Sequence, residues 1–180
     1  MEHFENDHFA KFLSRFEIEG ITQSLAHQIN QDYAGETVAL IGVLKGSFVF
    51  LSDLIRRLNV DAQVDFVRMT RNKTQSDPEN GTISTIKDLT LEIKDKHVII
   101  VEEIIDSGRI LKFLYDRIRS ASPRSVEVLT LLDKGKKRLV DVPVKYVGKS
   151  IDDQFLVGYG LDLEEQWRNL SDIFYLRYPN

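Results

Sequence analysis

A chain of 180 residues fits one domain with a substantial core, here taken as residues 1–180. Its net charge of −4 denies it the basic surface that non-specific nucleic-acid binding requires. It has no cysteine, which excludes disulfides, thiolate metal sites and a cysteine nucleophile.

The start, Met1-Glu2-His3-Phe4-Glu5, is acidic and lacks an apolar signal core, and no window approaches the length of a membrane span. A cytoplasmic protein that binds neither membrane nor nucleic acid is the expectation. Thr22 to Asp32 carries Leu25, Ala26 and Ile29 at helical spacing. Val38 to Leu44 is a short, continuously apolar run and is expected as a buried strand. Phe48 to Leu58 repeats Leu51, Leu54, Ile55 and Leu58 on one helical face, and Ala62 to Val67 is a second strand. Met69 to Thr85 is polar and holds Asp77-Pro78-Glu79-Asn80-Gly81, which suggests a loop: a mobile lid or surface decoration. His97 to Val101 is a strand ending in acids, Ile110 to Ile118 a helix, and Ser125 to Leu132 another strand. His3, His8, His27 and His97 have no motif around them and are expected to be structural or solvated.

Strands alternating with helices define an α/β fold with a mostly parallel, twisted sheet flanked by helices. Ligands in such folds bind beyond the carboxyl ends of the strands. Chemistry is therefore expected in the loops after Leu44, Val101 and Leu132.

The richest segment is Val98-Ile99-Ile100-Val101-Glu102-Glu103-Ile104-Ile105-Asp106-Ser107-Gly108-Arg109. Asp-Ser-Gly before a helix is by itself a turn with an N-cap. It also offers a hydroxyl and free N–H groups at a helix start, which suit a phosphate. Two adjacent carboxylates directly after a buried strand are costly to desolvate. They suit a sugar diol, as acidic residues do in dinucleotide folds.

With its acidic pair, two apolar residues and Asp-Ser-Gly, this segment resembles the signature of the type I phosphoribosyltransferases, and most closely the hypoxanthine-guanine phosphoribosyltransferases. The resemblance covers about Val38 to Arg177. It implies the fold of that family, with a small hood region and residues 69–85 as a mobile lid loop. It implies that Glu102 and Glu103 hold the ribose, and that Asp106, Ser107, Gly108, Arg109 and Ile110 wrap the 5-phosphate. Asp106 also faces N7 of the purine as the catalytic proton acceptor.

Three further segments match. Leu44-Lys45-Gly46-Ser47, alone an ordinary strand-to-helix turn, implies pyrophosphate contacts from Lys45 and Gly46, with a peptide before the lysine that can be cis. Leu131-Leu132-Asp133-Lys134-Gly135-Lys136-Lys137-Arg138 implies Lys134 at the purine O6 and Arg138 near pyrophosphate. Its other lysines, Lys136 and Lys137, are expected in solvent. Phe155-Leu156-Val157-Gly158-Tyr159-Gly160-Leu161-Asp162 implies stacking by Phe155, base-edge contacts from the Leu156 backbone, and Asp162 at a magnesium shell. Arg168 joins the pyrophosphate site. The implied cofactor is Mg²⁺, held by Glu102, Glu103 and Asp162. The implied partners are phosphoribosyl pyrophosphate, a 6-oxopurine and further copies of the chain in a homodimer or homotetramer.

Three positions depart from the family's pattern. Glu103 stands where Asp is usual, Ile110 where Thr is usual, and Arg71-Asn72 where a Ser-Tyr pair closes the family's lid. These departures leave two readings: a salvage transferase, or a regulator that senses phosphoribosyl pyrophosphate or nucleotide without turnover. Lys134, Phe155 and Asp162 favour the enzyme, because a sensor has no need of a base site.

Overall fold

The computed structural model describes residues 9–74 and 77–176, with the side chains of 73–80 outside that description. Its larger sheet has strand order β4-β3-β2-β5-β6-β7. The strands are β2 (Thr37–Leu44), β3 (Asp61–Thr74), β4 (Asp77–Lys87), β5 (His97–Ile105), β6 (Ser125–Asp133) and β7 (Tyr146–Ser150). All neighbours are parallel except β3 and β4.

Alternation along each strand builds a core on both faces. Val38 and Leu40 of β2, with Ile99 and Val101 of β5, pack against α1 (Arg15–Asp32) and α2 (Ser47–Ile55). Ala39, Ile41 and Val43, with Val98 and Ile100, face α3 (Arg109–Ser120) through Leu111, Leu114 and Ile118. Each fully buried Val, Leu or Ile contributes about 1.5–3 kcal/mol, so both faces hold the central strands in place. Parallel strands end together at one edge, and that edge carries the loops after β2, β5 and β6.

Helix α1 begins before the run of apolar spacing from which Thr22 to Asp32 is read. Ser14 and Glu17 form a reciprocal capping box: the Glu17 N–H donates to Ser14 Oγ at 3.3 Å, and the Ser14 N–H donates to Glu17 Oε2 at 2.8 Å. A second, three-stranded sheet has order β1-β9-β8 and joins β1 (Phe9–Leu13), β8 (Leu156–Val157) and β9 (Ile173–Leu176). His97 is structural: its ring meets Tyr33 edge-on at 5.2 Å, and its Nδ1 lies 2.7 Å from Ser125 Oγ.

The expected loop over 69–85 is instead an antiparallel hairpin. Met69 pairs with Thr85, Thr70 with Ser84, Arg71 with Ile83 and Asn72 with Thr82. The segment is poor in apolar anchors, but a hairpin satisfies its backbone through its own ladder. Thr82, Ile83, Thr85 and Ile86 also supply β-branched side chains suited to a strand. Residues 75 and 76 of the expected lid lie outside the described residues.

Asp65 fixes the root of this hairpin. It is buried on β3, and its carboxylate accepts from the N–H groups of Phe66 (2.7 Å), Thr90 (2.6 Å) and Leu91 (2.8 Å) and from the Lys87 ammonium (2.9 Å). Burial pushes this carboxyl up, but the donors from Leu91, Lys87, Thr90 and Phe66 outweigh it and hold it well below the usual range. A depressed carboxyl stabilises the fold above its unfolded value, and that contribution fades as pH falls. Asp65→Asn should therefore cost about 2–4 kcal/mol at pH 7, read from urea midpoints. The gap from wild type should narrow below about pH 4. Coincident midpoints at pH 7 would remove Asp65 as the anchor.

Candidate active site

The carboxyl edge of the larger sheet opens into a cavity of about 310 Å³. Lys45 and Gly46 line it after β2, Arg71 from β3, Glu102 and Glu103 from β5, and Asp106, Ser107, Gly108, Arg109 and Ile110 at the start of α3. Sequence reading placed Glu102 and Glu103 after the strand. The structure continues β5 to Ile105, with Glu102 opposite Thr130 and Ile104 opposite Leu132 of β6. The acids thus belong to the rigid sheet.

Close backbone approach accommodates Glu103. A methyl group on Gly46 would lie 1.6 Å from Glu103 Oε1, and one on Gly160 would lie 2.2 Å from the Gly46 carbonyl oxygen. Gly160 also takes a φ of 96°, which side chains disfavour. The loop after β2, the end of β5 and the segment around Gly160 therefore stack with no room for Cβ atoms at these two glycines. The Leu44–Lys45 peptide is cis.

Burial pushes both acids towards their neutral forms. For Glu102 the neighbouring charge of Glu103 and the hydrogen bond between the two carboxyls add to burial. Burial raises Glu103 to about 7, with Asp162 adding to the rise and its own N–H and Arg168 opposing it. Glu103 Oε2 is buried without a hydrogen-bond partner.

On one side of the acids stand cations. Arg168 donates to the Gly160 carbonyl at 2.7 Å and lies 2.8 Å from Asp162 Oδ1. Glu165, which sequence reading passed over, joins Lys45 (2.7 Å) to Arg168 (3.2 Å) through one oxygen, Oε2. Asp162 Oδ2 accepts from the Glu165 N–H at 2.9 Å. A carboxylate of the chain itself thus stands between two of the three cations assigned to pyrophosphate. Arg138 donates to both oxygens of Asp133, at 3.2 and 2.8 Å, and to the Val142 carbonyl at 3.2 Å; like Lys134, Phe155, Leu156, Asp162 and Arg168, it lies outside the lining of the cavity.

On the other side, the nearly buried Lys134 donates to Asp153 Oδ1 at 3.0 Å and lies 3.8 Å from Asp106 Oδ1. Lys137, expected in solvent, lies 3.1 Å from Asp106 Oδ1 and 2.9 Å from Asp153 Oδ1. Lys136 does point outward, to Asp152. Phe155 exposes its ring just before β8, while Leu156 is buried within that strand.

Among the described residues no group of three or more His, Asp or Glu side chains is gathered to hold a metal. Glu102, Glu103 and Asp162 therefore form no three-carboxylate cage, and Asp162 is engaged by Arg168 and the Glu165 N–H. The unpartnered Glu103 oxygen and the hard oxygen donors still fit Mg²⁺. That ion retains waters and takes one or two carboxylates together with substrate phosphates.

A parallel sheet whose edge carries this cleft defines the class. The profile of the phosphoribosyl transferase domain family matches residues 13–164. The chain is 40% identical over 170 residues to a hypoxanthine-guanine phosphoribosyltransferase of Staphylococcus aureus strain Mu50, covering 93% of both chains. It superposes on the crystal structure of a hypoxanthine-guanine phosphoribosyltransferase from Bacillus anthracis with a TM-score of 0.86 at 40% identity, covering 93% of this chain and 97% of that one. A hypoxanthine phosphoribosyltransferase of Staphylococcus aureus gives a TM-score of 0.89 at 38% identity, covering 95% and 94%. The chain belongs to the hypoxanthine-guanine phosphoribosyltransferase family.

Two outcomes follow from the charges. A carboxyl raised on folding binds its proton more tightly in the native state, so its contribution to stability declines as pH rises from the ordinary carboxylate range towards 7. Without ligands or divalent ions, Glu103→Gln should have a flatter Tm profile than wild type across that window and a higher Tm at its upper end. Parallel profiles would contradict the burial effect. Separately, Glu165→Gln releases Lys45 and Arg168, so inorganic pyrophosphate should bind several-fold more tightly by calorimetry. Equal or weaker binding would show that Glu165 does not compete for these cations.

Proposed function

We propose that this chain transfers the 5-phosphoribosyl group from phosphoribosyl pyrophosphate to N9 of hypoxanthine, and also of guanine, releasing pyrophosphate. The observation that supports this reading is a single cavity lined by Lys45 and Gly46, the Glu102–Glu103 pair and the loop from Asp106 to Ile110.

The N-terminus of α3 has Gly108 at its cap, with a φ of 76° and no side-chain cap. Its free N–H groups and the Ser107 hydroxyl suit the 5-phosphate. At Ile110 only the backbone contributes. Glu102 and Glu103 accept hydrogen bonds from the ribose hydroxyls. Lys45 and Arg168 hold the pyrophosphate once it replaces Glu165. Phe155 stacks on the base, and Lys134, with three donors and no acceptor, selects a 6-oxo group over a 6-amino group.

The C1–O bond to pyrophosphate breaks as the C1–N9 bond forms, through a transition state with oxocarbenium character. Asp106 accepts the proton that leaves N7. Mg²⁺, when bound, supplies positive charge to the phosphates. The β3–β4 hairpin is the lid that keeps water from the cation, with Arg71 at its inner rim.

Hypoxanthine, phosphoribosyl pyrophosphate and Mg²⁺ should yield IMP in a spectrophotometric assay, and adenine should not substitute. Asp106→Asn should lower kcat by about 10²–10⁴-fold while binding of phosphoribosyl pyrophosphate persists. Absence of IMP formation by the intact chain would overturn the reading. Use of adenine would overturn the role of Lys134.

A further inference from the structure

The base-facing groups come from three separate loops. Asp106 follows β5, Lys134 follows β6 and Phe155 precedes β8. Backbone hydrogen bonds bring these loops alongside one another: the Lys134 N–H donates to the Ile105 carbonyl at 3.0 Å, and the Ile151 N–H to the Asp133 carbonyl at 2.9 Å. The side chains that touch a base extend well beyond these bonds, and their tips need placement of their own.

Lys134 shows the problem most sharply. Its side chain is 9% exposed. A nearly buried ammonium has to be paired, and an ammonium left facing Asp106 alone would bind the very oxygen that must accept a proton. In the structure Lys134 is drawn away from that oxygen, and Lys137 approaches it instead. Lys134 bonds to Asp153 at 3.0 Å and stands off from Asp106 at 3.8 Å. Lys137 bonds to the same Asp153 oxygen and approaches Asp106 at 3.1 Å from its more exposed side. Two carboxylates and two ammonium groups thus alternate around a closed ring. The pairing raises Lys137 above the usual ammonium range, first through Asp153 and then through Asp106. Asp153 lies two residues before Phe155, so the same ring ties down the stacking loop.

We infer that Asp153 and Lys137 are positioning residues of the base site, which hold Lys134 and Asp106 apart and aimed before the purine arrives. The inference rests on the roles proposed above for Asp106 and Lys134. Neither positioning residue touches the reacting atoms. Each acts by fixing a group that does, and a misplacement of about 1 Å can cost on the order of 10²-fold in rate.

Steady-state kinetics on the intact protein, varying hypoxanthine and phosphoribosyl pyrophosphate separately, test this with Asp153→Asn, Lys137→Met and Lys137→Arg. Lys136→Met serves as a neighbouring solvent-exposed control and Asp106→Asn as a site control. Asp153→Asn should lower kcat/KM for hypoxanthine by about 10–100-fold while the KM for phosphoribosyl pyrophosphate stays within about twofold. Lys137→Met should fall in the same direction, Lys137→Arg should recover most of the loss, and Lys136→Met should match wild type. If Asp153→Asn fails to fold, Lys137→Met and its arginine rescue carry the test alone, because that side chain is 41% exposed. The inference is overturned if Asp106→Asn loses turnover while Asp153→Asn and Lys137→Met keep kcat/KM for hypoxanthine. It is equally overturned if they raise both KM values together, as general loosening would. Should Asp106→Asn also leave turnover intact, the proposed base site falls and this inference falls with it.

Discussion

Two neighbouring carboxyls in a central strand set the terms for the rest of the cleft. Glu102 and Glu103 sit near the end of β5, half-buried where the strand lines the cavity. Their charge is costly there, which is why burial raises both. The surroundings answer in several ways. The bare backbone of Gly46 leaves room for Glu103, Gly160 lets its own loop close on Gly46, and Arg168 lends Glu103 positive charge. One oxygen remains without a partner. The site stays electrostatically incomplete until a polar or cationic ligand arrives, which is how a binding site holds affinity in reserve at the expense of resting stability.

Much of the frame was legible in the sequence, for reasons visible in particular residues. Val38 to Leu44 and His97 to Val101 are apolar runs that only a doubly covered strand can use, so the parallel sheet followed. Helix α1 was read too short because Gly20 and the exposed Phe16 and Glu19 blur its early spacing, although Ser14 and Glu17 spelled out its cap. In the sequence the hairpin resembles a loop because its polar residues mask the β-branched Thr82, Ile83, Thr85 and Ile86. The second sheet was missed because β8 is only two residues long and β1 finds its partner at the far end of the chain.

The same distinction separates legible from illegible parts of the site. Glu102 to Arg109 stand out because they fall within twelve consecutive residues, Val98 to Arg109, that form one pattern. Asp153, Lys137 and Glu165 do not, since a charged residue in a polar loop looks solvated until the fold brings its partner alongside. The positions that depart from the family's pattern acquire a shared meaning in three dimensions. Arg71 replaces part of the Ser-Tyr pair, Arg109 precedes Ile110, and both arginines line the cavity of the acidic pair. Arg109 Nε is buried without a partner. The chain thus lacks a threonine hydroxyl at Ile110 and has guanidinium groups directed to the same cavity, which suits anionic substrates.

The ladder between β1 and β9 pairs Phe9 with Leu176 and Ala10 with Tyr175. Beside it, the Arg15 N–H donates to Asp172 Oδ1 at 2.7 Å, which anchors the segment following Arg168. Ribosomal synthesis runs in one direction, so β1 emerges long before its partner has been made. The larger sheet can assemble on the nascent chain, with β2, β5 and β6 already in register, before β9 is available to tie down the loop bearing Asp162 and Arg168. Maturation therefore has a fixed last step. The smaller sheet is completed only once β9 has been made, after every strand of the larger one.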